Sequence, residues 1–448
     1  MILRVIQTRD ALKDRAVQAV RQRLARADVT TGPKGADVPA VVRRIIDDVR
    51  RRDDRALIDW EKRLDGVRLS PRTIRVPAAA IARARREADR DFLALLRRAA
   101  DNIRRYQEHI LVQAPPPMKR GGRTLGVRYT PIDRVGLYVP GGSAVLISSF
   151  LMTAVPAQVA GVREIALASP PRSAGDVSPL VLAAAAELGI TEVYRLGGAP
   201  AIAALALGSR SVPRVHKVIG PGNAFVAEAK RQLFGRVGID SIAGPSEVLV
   251  IADDSARAEW VAADLIAQAE HDPGSAVLVT TSLDLARRVA SAVEEQVASL
   301  SRGAAARRCL KEYGAIIVVG GLDEACDLAN EFAPEHLQIV TRDDRRALAR
   351  IRNAGAIFLG PHTPVPLGDY YAGPSHVLPT GGTARFFGPL SCNDFRKASS
   401  VESYSAAALK EDAADVIDFA NREGLTGHAK AVTMRLERGS HMGRSRSR

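Results

Sequence analysis

The chain has few cysteines, and their spacing points to no shared site. Cys309, Cys326 and Cys392 are the three cysteines among 448 residues, and they form no CxxC pair. The sequence therefore predicts neither a disulfide framework nor a thiolate metal site, and the reducing cytoplasm fits this pattern. Residues 1–15, MILRVIQTRDALKDR, also lack an apolar h-region, so we expect no signal peptide.

Aromatic residues are scarce, at 4% of the chain, whereas positive charge is abundant. A net charge of +14 favours an anionic partner such as nucleic acid or a membrane surface. However, few aromatic rings are available to stack on bases, and the basic residues are mixed with acids, as in residues 41–62. We interpret them as a solvated surface and expect no nucleic-acid partner. A basic nucleic-acid-binding protein is kept as an alternative.

One run without charge, residues 135–162, is long enough to span a membrane. It is interrupted by Pro140, Gly141 and Gly142 near its start and by Pro156 near its end. These residues predict a buried strand, a turn and a helix in a globular protein with no membrane partner.

Helical and strand patterns alternate along most of the chain. Apolar residues recur at the helical period in residues 41–49 and 81–110. Short β-branched runs follow between helical segments, at residues 134–139, 163–169, 191–198, 214–220, 247–253, 275–281, 314–321, 336–341 and 355–360. This alternation predicts parallel sheets in two α/β units. Beyond Ser391 the pattern becomes helical again.

No GxGxxG fingerprint for a dinucleotide stands between a strand and a helix. Glycine turns do follow predicted strands, at residues 140–142, 197–199 and 220–223. Backbone amides in such turns can bind a pyrophosphate at a helix N-terminus. Each turn alone is more often a tight connection between a strand and a helix, but their succession favours a nucleotide site.

Two polar residues share one face at the end of a predicted helix. In LIAQAEHDP, residues 265–273, Gln268 and His271 are three positions apart, which places them about 60° apart around the axis. The pair could therefore bind one small ligand.

Carboxylates accompany histidines at three later places. These are Glu335 with His336 before a predicted strand, Asp369 with His376 in LGDYYAGPSHVLPT, and Glu423 with His428 in EGLTGHAKAV. A lone histidine is usually a surface or core residue, but each of these three and His271 has a carboxylate within seven residues. Three of the four lie in turn-rich segments after strands, and open α/β sheets bind ligands at the carboxyl ends of their strands. Zinc or another borderline divalent ion would suit the donors Gln268, His271, Asp369 and His428 better than magnesium. The residues alone favour a metal site without settling it.

Eight ordered segments of the chain resemble histidinol dehydrogenases. They are GLYVPGG, GGAPAIAALALG, VIGPGNAFVAEAKRQ, IDSIAGPSEVLVIAD, DLIAQAEHDP, APEHLQI, LGDYYAGPSHVLPT and EGLTGHA. The resemblance extends over nearly the whole chain, and the ordered set is far more specific than any single motif. It implies two Rossmann-like parallel-sheet domains of the α/β class, one inserted in the other, with small helical N- and C-terminal dimerisation segments.

The resemblance also implies an activity. The family oxidises L-histidinol through L-histidinaldehyde to L-histidine with two NAD⁺, as the last steps of histidine biosynthesis, and it is a zinc-dependent homodimer. One zinc ion per subunit would be held by Gln268, His271, Asp369 and His428 of the partner subunit. His336 would take the alcohol proton as hydride leaves, and Glu335 would activate water for hydration of the aldehyde. Further substrate contacts would be Ser246, His376 and, from the partner subunit, Glu423.

The cofactor side departs from the family pattern. Tyr138 and Asn223 match positions that contact NAD in the family. Pro200 occupies the place in GGAPA where the family usually has Gln, and proline cannot donate a side-chain hydrogen bond. The departure puts the affinity for NAD⁺ in doubt and leaves the catalytic and zinc sets intact.

The domain organisation implied by the resemblance has five parts. They are an N-terminal helical segment (residues 1–29), a main α/β domain with the zinc and catalytic residues (30–137 and 247–390), a smaller NAD-contacting domain (138–246), a C-terminal helical segment (391–436) and a disordered basic tail (437–448). Two alternative enzymes remain open. One is a related zinc- and NAD-dependent dehydrogenase of another amino alcohol or of a sulfonated alcohol, and the other is a zinc hydrolase with Glu335 as base.

Overall fold

A computed structural model describes residues 2–25, 35, 37–141, 146–171, 175–271 and 274–437. The chain divides into two compact units. The first unit contains residues 1–111 and 132–395, and the second contains residues 112–131 and the chain from residue 396 onward. Residues 438–448, which make up nearly all of the predicted basic tail, lie outside the described residues.

The strands are β1 (Arg4–Gln7), β2 (Met118–Arg120), β3 (Arg123–Pro131), β4 (Arg134–Tyr138), β5 (Glu164–Ser169), β6 (Glu192–Arg195), β7 (Lys217–Ile219), β8 (Gly238–Ile239), β9 (Ser246–Ala252), β10 (Gly274–Thr280), β11 (Gly314–Val318), β12 (His336–Val340), β13 (Ala356–Leu359) and β14 (Arg396–Tyr404). The helices are α1 (Arg15–Ala25), α2 (Val38–Arg52), α3 (Asp54–Leu64), α4 (Ala78–Glu87), α5 (Arg90–His109), α6 (Ile147–Val159), α7 (Pro179–Glu187), α8 (Gly198–Leu207), α9 (Ala224–Leu233), α10 (Ala258–Ala269), α11 (Leu283–Val297), α12 (Gly303–Tyr313), α13 (Leu322–Phe332), α14 (Asp344–Arg350), α15 (Val365–Tyr370), α16 (Ala406–Arg422) and α17 (Thr426–Glu437). All nine runs predicted as strands contain one.

The larger sheet of the first unit has six parallel strands in the order β1-β11-β10-β9-β12-β13. Helices α10, α11 and α12 pack on one face, and α1, α13 and α14 pack on the other. A strand covered on both faces has to be apolar along its whole length, which explains the run Val248–Ala252 in β9. The sequence predicts residues 4–7 as part of a helical segment, but they form the edge strand β1, whose sequence RVIQ is polar at both ends and so lacks the continuous apolar run of the buried strands.

The smaller sheet has five parallel strands in the order β6-β5-β4-β7-β8. Its strands lie in the chain between β1 and β9 of the larger sheet, so one α/β unit is inserted in the other, which confirms the predicted fold class. Helices α4 to α7 cover one face, and α2, α3, α8 and α9 cover the other. Helices α2 to α5 had been assigned to the main domain, but their apolar stripes pack on this smaller sheet.

The charge-free run at residues 135–162 contains the fully buried strand β4 and the helix α6. Among the described helices, none combines the length and the apolar character that crossing a membrane requires. The three cysteines are buried in three different cores of the first unit.

The second unit contains the antiparallel sheet β14-β3-β2 and the helices α16 and α17. The sequence pattern had predicted helix beyond Ser391, but Arg396–Tyr404 is a strand paired with β3 along its whole length. Nearly all residues of this strand are exposed. Because neither of its faces is buried, its sequence lacks the alternation by which strands are recognised.

Candidate active site

A cavity of about 170 Å³ in the first unit gathers most of the predicted site residues. It is lined by Ser246, His271, Glu335, His336, Asp369 and His376 among others. Gly220 and Pro221, which follow strand β7, line it from the smaller sheet. Residues up to 234 positions apart in the sequence, Leu146 and Thr380, therefore border one space.

The two sheets contribute opposite strand ends to this cavity. His336 is the first residue of β12 and Ser246 the first residue of β9, so the larger sheet contributes its amino ends. The smaller sheet contributes its carboxyl end, where Gly220 follows β7. Ligand binding at the carboxyl ends of strands therefore describes the smaller sheet, whereas His336 lies at the amino end of its strand, as its place just before a predicted strand indicates. Loops that precede strands of the larger sheet and loops that follow strands of the smaller sheet therefore border the same cavity.

The local sequence explains how Glu335 and His336 come to start a strand. Helix α13 ends at Phe332, and Ala333 takes a left-handed conformation with φ 47°. Pro334 cannot continue the helix, which favours the change to extended chain. A residue other than glycine is strained in the left-handed conformation, and such strain is common next to functional residues.

The Glu335 carboxylate is held by the start of β9. Its Oε2 accepts hydrogen bonds from Ser246 Oγ at 2.5 Å and from the Glu247 backbone N–H at 2.9 Å. It also lies 3.5 Å from His336 Nδ1. Burial raises the pKa of Glu335, and His336 and the two hydrogen bonds oppose this rise.

The His336 ring has one engaged nitrogen and one available nitrogen. Nδ1 lies 3.0 Å from the backbone oxygen of Glu247, so Nδ1 carries the proton, because a carbonyl can only accept. Nε2 is buried without a hydrogen-bond partner among the described residues and lies 3.4 Å from Asp369 Oδ1. Burial lowers the pKa of His336, but Glu335 and Asp369 overcome this effect and raise it to about 9.

Asp369 lies among imidazole rings. Burial raises its pKa, but His336, His376 and His271 outweigh burial and lower it overall. His376 donates from Nδ1 to the Asp369 backbone oxygen at 2.6 Å, and its Nε2 lies 2.9 Å from Ser149 Oγ. The Asp369 carboxylate therefore stays ionised and its backbone is anchored to helix α6.

The predicted metal donors of this unit fit a borderline divalent ion. Asp369 and His271 border the same cavity, and the Nε2 atom of Gln268, one helical turn before His271, is buried with no hydrogen-bond partner among the described residues. The described chain contains no group of three or more His, Cys, Asp and Glu that could hold a metal. The predicted set includes an amide and a residue of the partner subunit, neither of which such a group would count, so the zinc site stays a prediction.

Glu423 and His428 belong to the second unit. Glu423 caps the C-terminus of α16, and His428 lies in the first turn of α17. Both residues are exposed, so other described residues of the same subunit do not bury them.

The residues predicted to contact the cofactor are all tied to glycine turns of the smaller sheet. Tyr138 ends β4 and its hydroxyl accepts from the Gly198 backbone N–H at 3.0 Å. Asn223 caps helix α9 by accepting from the backbone N–H groups of Phe225 and Val226. Pro200 is buried in the first turn of α8, where a missing N–H breaks no helical bond. The fold therefore accommodates the proline.

Sequence reasoning missed three residues beside the site. Ser149 contacts His376, Asp240 lines the cavity, and Glu247 contacts both Glu335 and His336 through its backbone. One signal was available for Glu247, because a carboxylate inside the apolar run SEVLVIA is unusual. Ser149 and Asp240 have no comparable signal, since their roles depend on contacts far along the chain.

Comparisons with known proteins agree with this geometry. A sequence profile described as histidinol dehydrogenase matches residues 31–436. A histidinol dehydrogenase from Rhodopirellula baltica is 46% identical over 97% of this chain and 98% of its own, and one from Moorella thermoacetica is 51% identical over 89% and 95%. The crystal structure of histidinol dehydrogenase from Elizabethkingia anophelis superposes with a TM-score of 0.89 at 31% identity, over 98% of both chains. The chain therefore belongs to the histidinol dehydrogenase family and is an oxidoreductase.

Proposed function

We propose that this protein oxidises L-histidinol to L-histidine through L-histidinaldehyde, with two NAD⁺ and one zinc ion per subunit. The observation that carries the proposal is the pair Glu335–His336 at the cavity, with Nε2 of His336 available beside Asp369. An alcohol oxidation needs a base for the hydroxyl proton, and hydration of the aldehyde needs a second base directed at water. An imidazole and a carboxylate can divide these tasks.

In the first oxidation, His336 reacts in its neutral form, which is the minor form at neutral pH because its pKa is raised to about 9. Its Nε2 then accepts the hydroxyl proton while the carbinol hydride leaves to NAD⁺. In the second, Glu335 takes a proton from the water that adds to the aldehyde, and the hydrated aldehyde gives its hydride to another NAD⁺. Ser246 holds Glu335, and His376 holds the backbone of Asp369. Ser246 and His376 line the same cavity and are proposed to contact the substrate.

Gln268, His271 and Asp369, with His428 of the partner subunit, are the residues that would hold zinc. The bound ion would supply a positive charge that orients the imidazole and amino nitrogens of the substrate. The role of His428 and of Glu423 requires a homodimer. Exposed apolar side chains of the second unit support one, among them Val416, Phe419, Leu425 and Met434. The cytoplasm stays our prediction for the location.

The test counts NADH formed per L-histidinol consumed by the zinc-loaded protein. We expect about two, abolished by a chelator and restored by zinc, because the reaction removes four electrons. His336→Gln should lower the first oxidation by about 10² to 10⁴-fold, whereas Glu335→Gln should retain more of it and lose oxidation of added L-histidinaldehyde. Full histidine production by both variants would refute the assigned roles. Turnover of an ester without NAD⁺ would indicate the hydrolase instead.

A further inference from the structure

Glu247 lies between the two residues of the proposed catalytic pair. Its backbone N–H donates to Glu335 Oε2 at 2.9 Å, and its backbone oxygen accepts from His336 Nδ1 at 3.0 Å. Glu247 thus fixes both the carboxylate of Glu335 and the proton-bearing nitrogen of His336. The position of residue 247 therefore determines where both groups point.

The side chain of Glu247 holds its own backbone in place. Its Oε1 accepts from the Gly381 backbone N–H at 2.9 Å. Burial and the neighbouring Glu335 carboxylate raise the pKa of Glu247 to about 7, and backbone N–H groups, that of Gly381 first, oppose this rise. The carboxylate of residue 247 is therefore held by the backbone of Gly381, while the backbone of residue 247 binds the carboxylate of Glu335.

The Glu247 carboxyl borders a second cavity, of about 270 Å³, that differs from the substrate cavity in its lining. Arg21, Glu331, Phe332 and Arg385 also line it. Glu331 pairs with Arg21 at 2.9 Å. Glu247 itself is 9% exposed. Within the part of the chain that the structure describes, Glu247 forms no ion pair with either arginine, and its carboxylate is held by a backbone amide.

We propose that Glu247 is a positioning residue that sets the orientation of Glu335 and the Nδ1–H tautomer of His336. The proposal rests on the proposed function, because it assigns Glu247 a role through these two groups. Substrate and cofactor do not touch Glu247 in this scheme. Its loss should therefore change kcat and leave the KM values for L-histidinol and NAD⁺ near those of the wild type.

The test compares Glu247→Ala and Glu247→Gln with Glu331→Gln, which alters the same second cavity without touching the pair. Misplacement of a reacting group by about 1 Å can cost roughly 10²-fold, so we expect Glu247→Ala to lower kcat by about 10 to 100-fold. Glu247→Gln should recover part of this loss, because its amide oxygen can still accept from Gly381. Glu331→Gln should match the wild type.

A second readout does not depend on turnover. The chain has eight histidines, so ¹⁵N-histidine spectra are tractable, and His336→Gln identifies the signals of His336. Glu247→Ala should shift the Nδ1 signal of His336, and Glu331→Gln should not. A folded Glu247→Ala with wild-type kcat, or with an unchanged His336 signal, would overturn the positioning role. Full activity of Glu335→Gln and His336→Gln would refute the proposed function instead, and the nitrogen signal would still test the geometry.

Discussion

Glu61 shows how the smaller sheet tolerates a buried carboxyl beside a glycine turn. It lies in α3, is fully buried, and accepts from the Gly197 backbone N–H at 2.7 Å. Burial raises the pKa of Glu61 to about 9, the Gly197 amide opposes this, and the neighbouring Asp65 adds to the rise. Glu61 is therefore protonated at neutral pH, and the amide at the start of α8 already has a partner. This turn does not offer that N–H group to a phosphate.

The raised pKa of Glu61 predicts a specific pH dependence of stability. The folded state binds the proton of Glu61 more tightly than the unfolded state does. The contribution of Glu61 to the unfolding free energy is therefore fully present below the usual pKa of a glutamate, and it is lost as pH rises towards about 9. Glu61→Gln should remove this loss, since its amide resembles the protonated acid. Between about pH 5 and 9 the unfolding free energy of the variant should gain on the wild type by up to about 1.4 kcal/mol per pH unit.

Chemical denaturation across this pH range measures the effect. Glu295→Gln is the control, because Glu295 is an exposed carboxylate of α11. Parallel stability curves for wild type and Glu61→Gln would contradict the assignment of a protonated Glu61.

Pro200 allows a direct test of the cofactor side. Restoring the usual side chain with Pro200→Gln puts an amide donor in the first turn of α8, where the backbone accepts any residue. A hydrogen bond of ordinary strength contributes about 0.5 to 1.5 kcal/mol, so the Kd for NAD⁺ should fall by about 2 to 10-fold. Calorimetric titration with NAD⁺ measures this. Pro200→Ala, which removes the ring without adding a donor, is the matched control, and equal tightening there would show that the amide donor is irrelevant.

At the scale of elements, the turn between β7 and α9 is clamped from both sides. Asp240 Oδ2 accepts from the Gly220 backbone N–H at 2.8 Å, and Lys230 Nζ donates to the Gly220 backbone oxygen at 3.1 Å. Asp240 and Lys230 form a buried ion pair with each other. Breaking such a pair leaves an uncompensated charge, so each partner depends on the other.

Only glycine fits at position 220. Its φ is 129°, and a Cβ there would lie 2.1 Å from the Tyr138 backbone oxygen. Gly220→Ala should therefore move the turn away from β4, lower the unfolding free energy by about 2 to 4 kcal/mol and weaken NAD⁺ binding. Gly235→Ala is the matched control, because Gly235 has φ 93° but no atom within 4 Å of its Cβ. Its cost should stay near 1 kcal/mol. Equal losses for both variants in urea denaturation would show that the clash is relieved without cost.

The sequence identified elements best where both faces of a strand are buried. The nine predicted strands all belong to the two parallel sheets, whose continuous apolar runs are distinctive. Strand β14 was missed because its residues are exposed, and β1 because its sequence, RVIQ, is polar at both ends and forms no continuous apolar run. The packing of α2 to α5 on the smaller sheet was also missed, since a periodic apolar stripe does not specify the sheet it will cover.

The site was predictable as a set of residues but not as a geometry. Histidine and carboxylate pairs in turn-rich segments identified Glu335, His336 and Asp369. The contact between Glu335 and the start of β9 spans 89 positions, and no local pattern encodes it. The choice of amino or carboxyl strand ends likewise depends on how the two sheets of the first unit face each other.

At the scale of the whole molecule, the proposed active site is divided between chains. The first unit holds the cavity with His271, Glu335, His336 and Asp369, and the second unit holds Glu423 and His428. If each active site takes its first-unit residues from one subunit and its second-unit residues from the other, two subunits with different defects can complement each other.

Mixing His336→Gln with His428→Ala subunits tests this division. In a mixed dimer, one site combines both defects and the other combines neither, so one site of two is restored. Half of randomly exchanged dimers are mixed, and activity should recover to about a quarter of the wild-type value from near zero. Both substitutions should leave the fold intact, because His428 is exposed and Gln can fill the space of His336.

Mixing His336→Gln with Glu335→Gln is the control. Both defects then lie in the same half of the site, so every dimer has two defective sites and production of L-histidine should not recover. Differently tagged subunits verify that exchange has taken place. If exchange is complete and His336→Gln with His428→Ala recovers nothing, His428 does not serve the site of the partner subunit. The metal shell would then have to be completed within one chain.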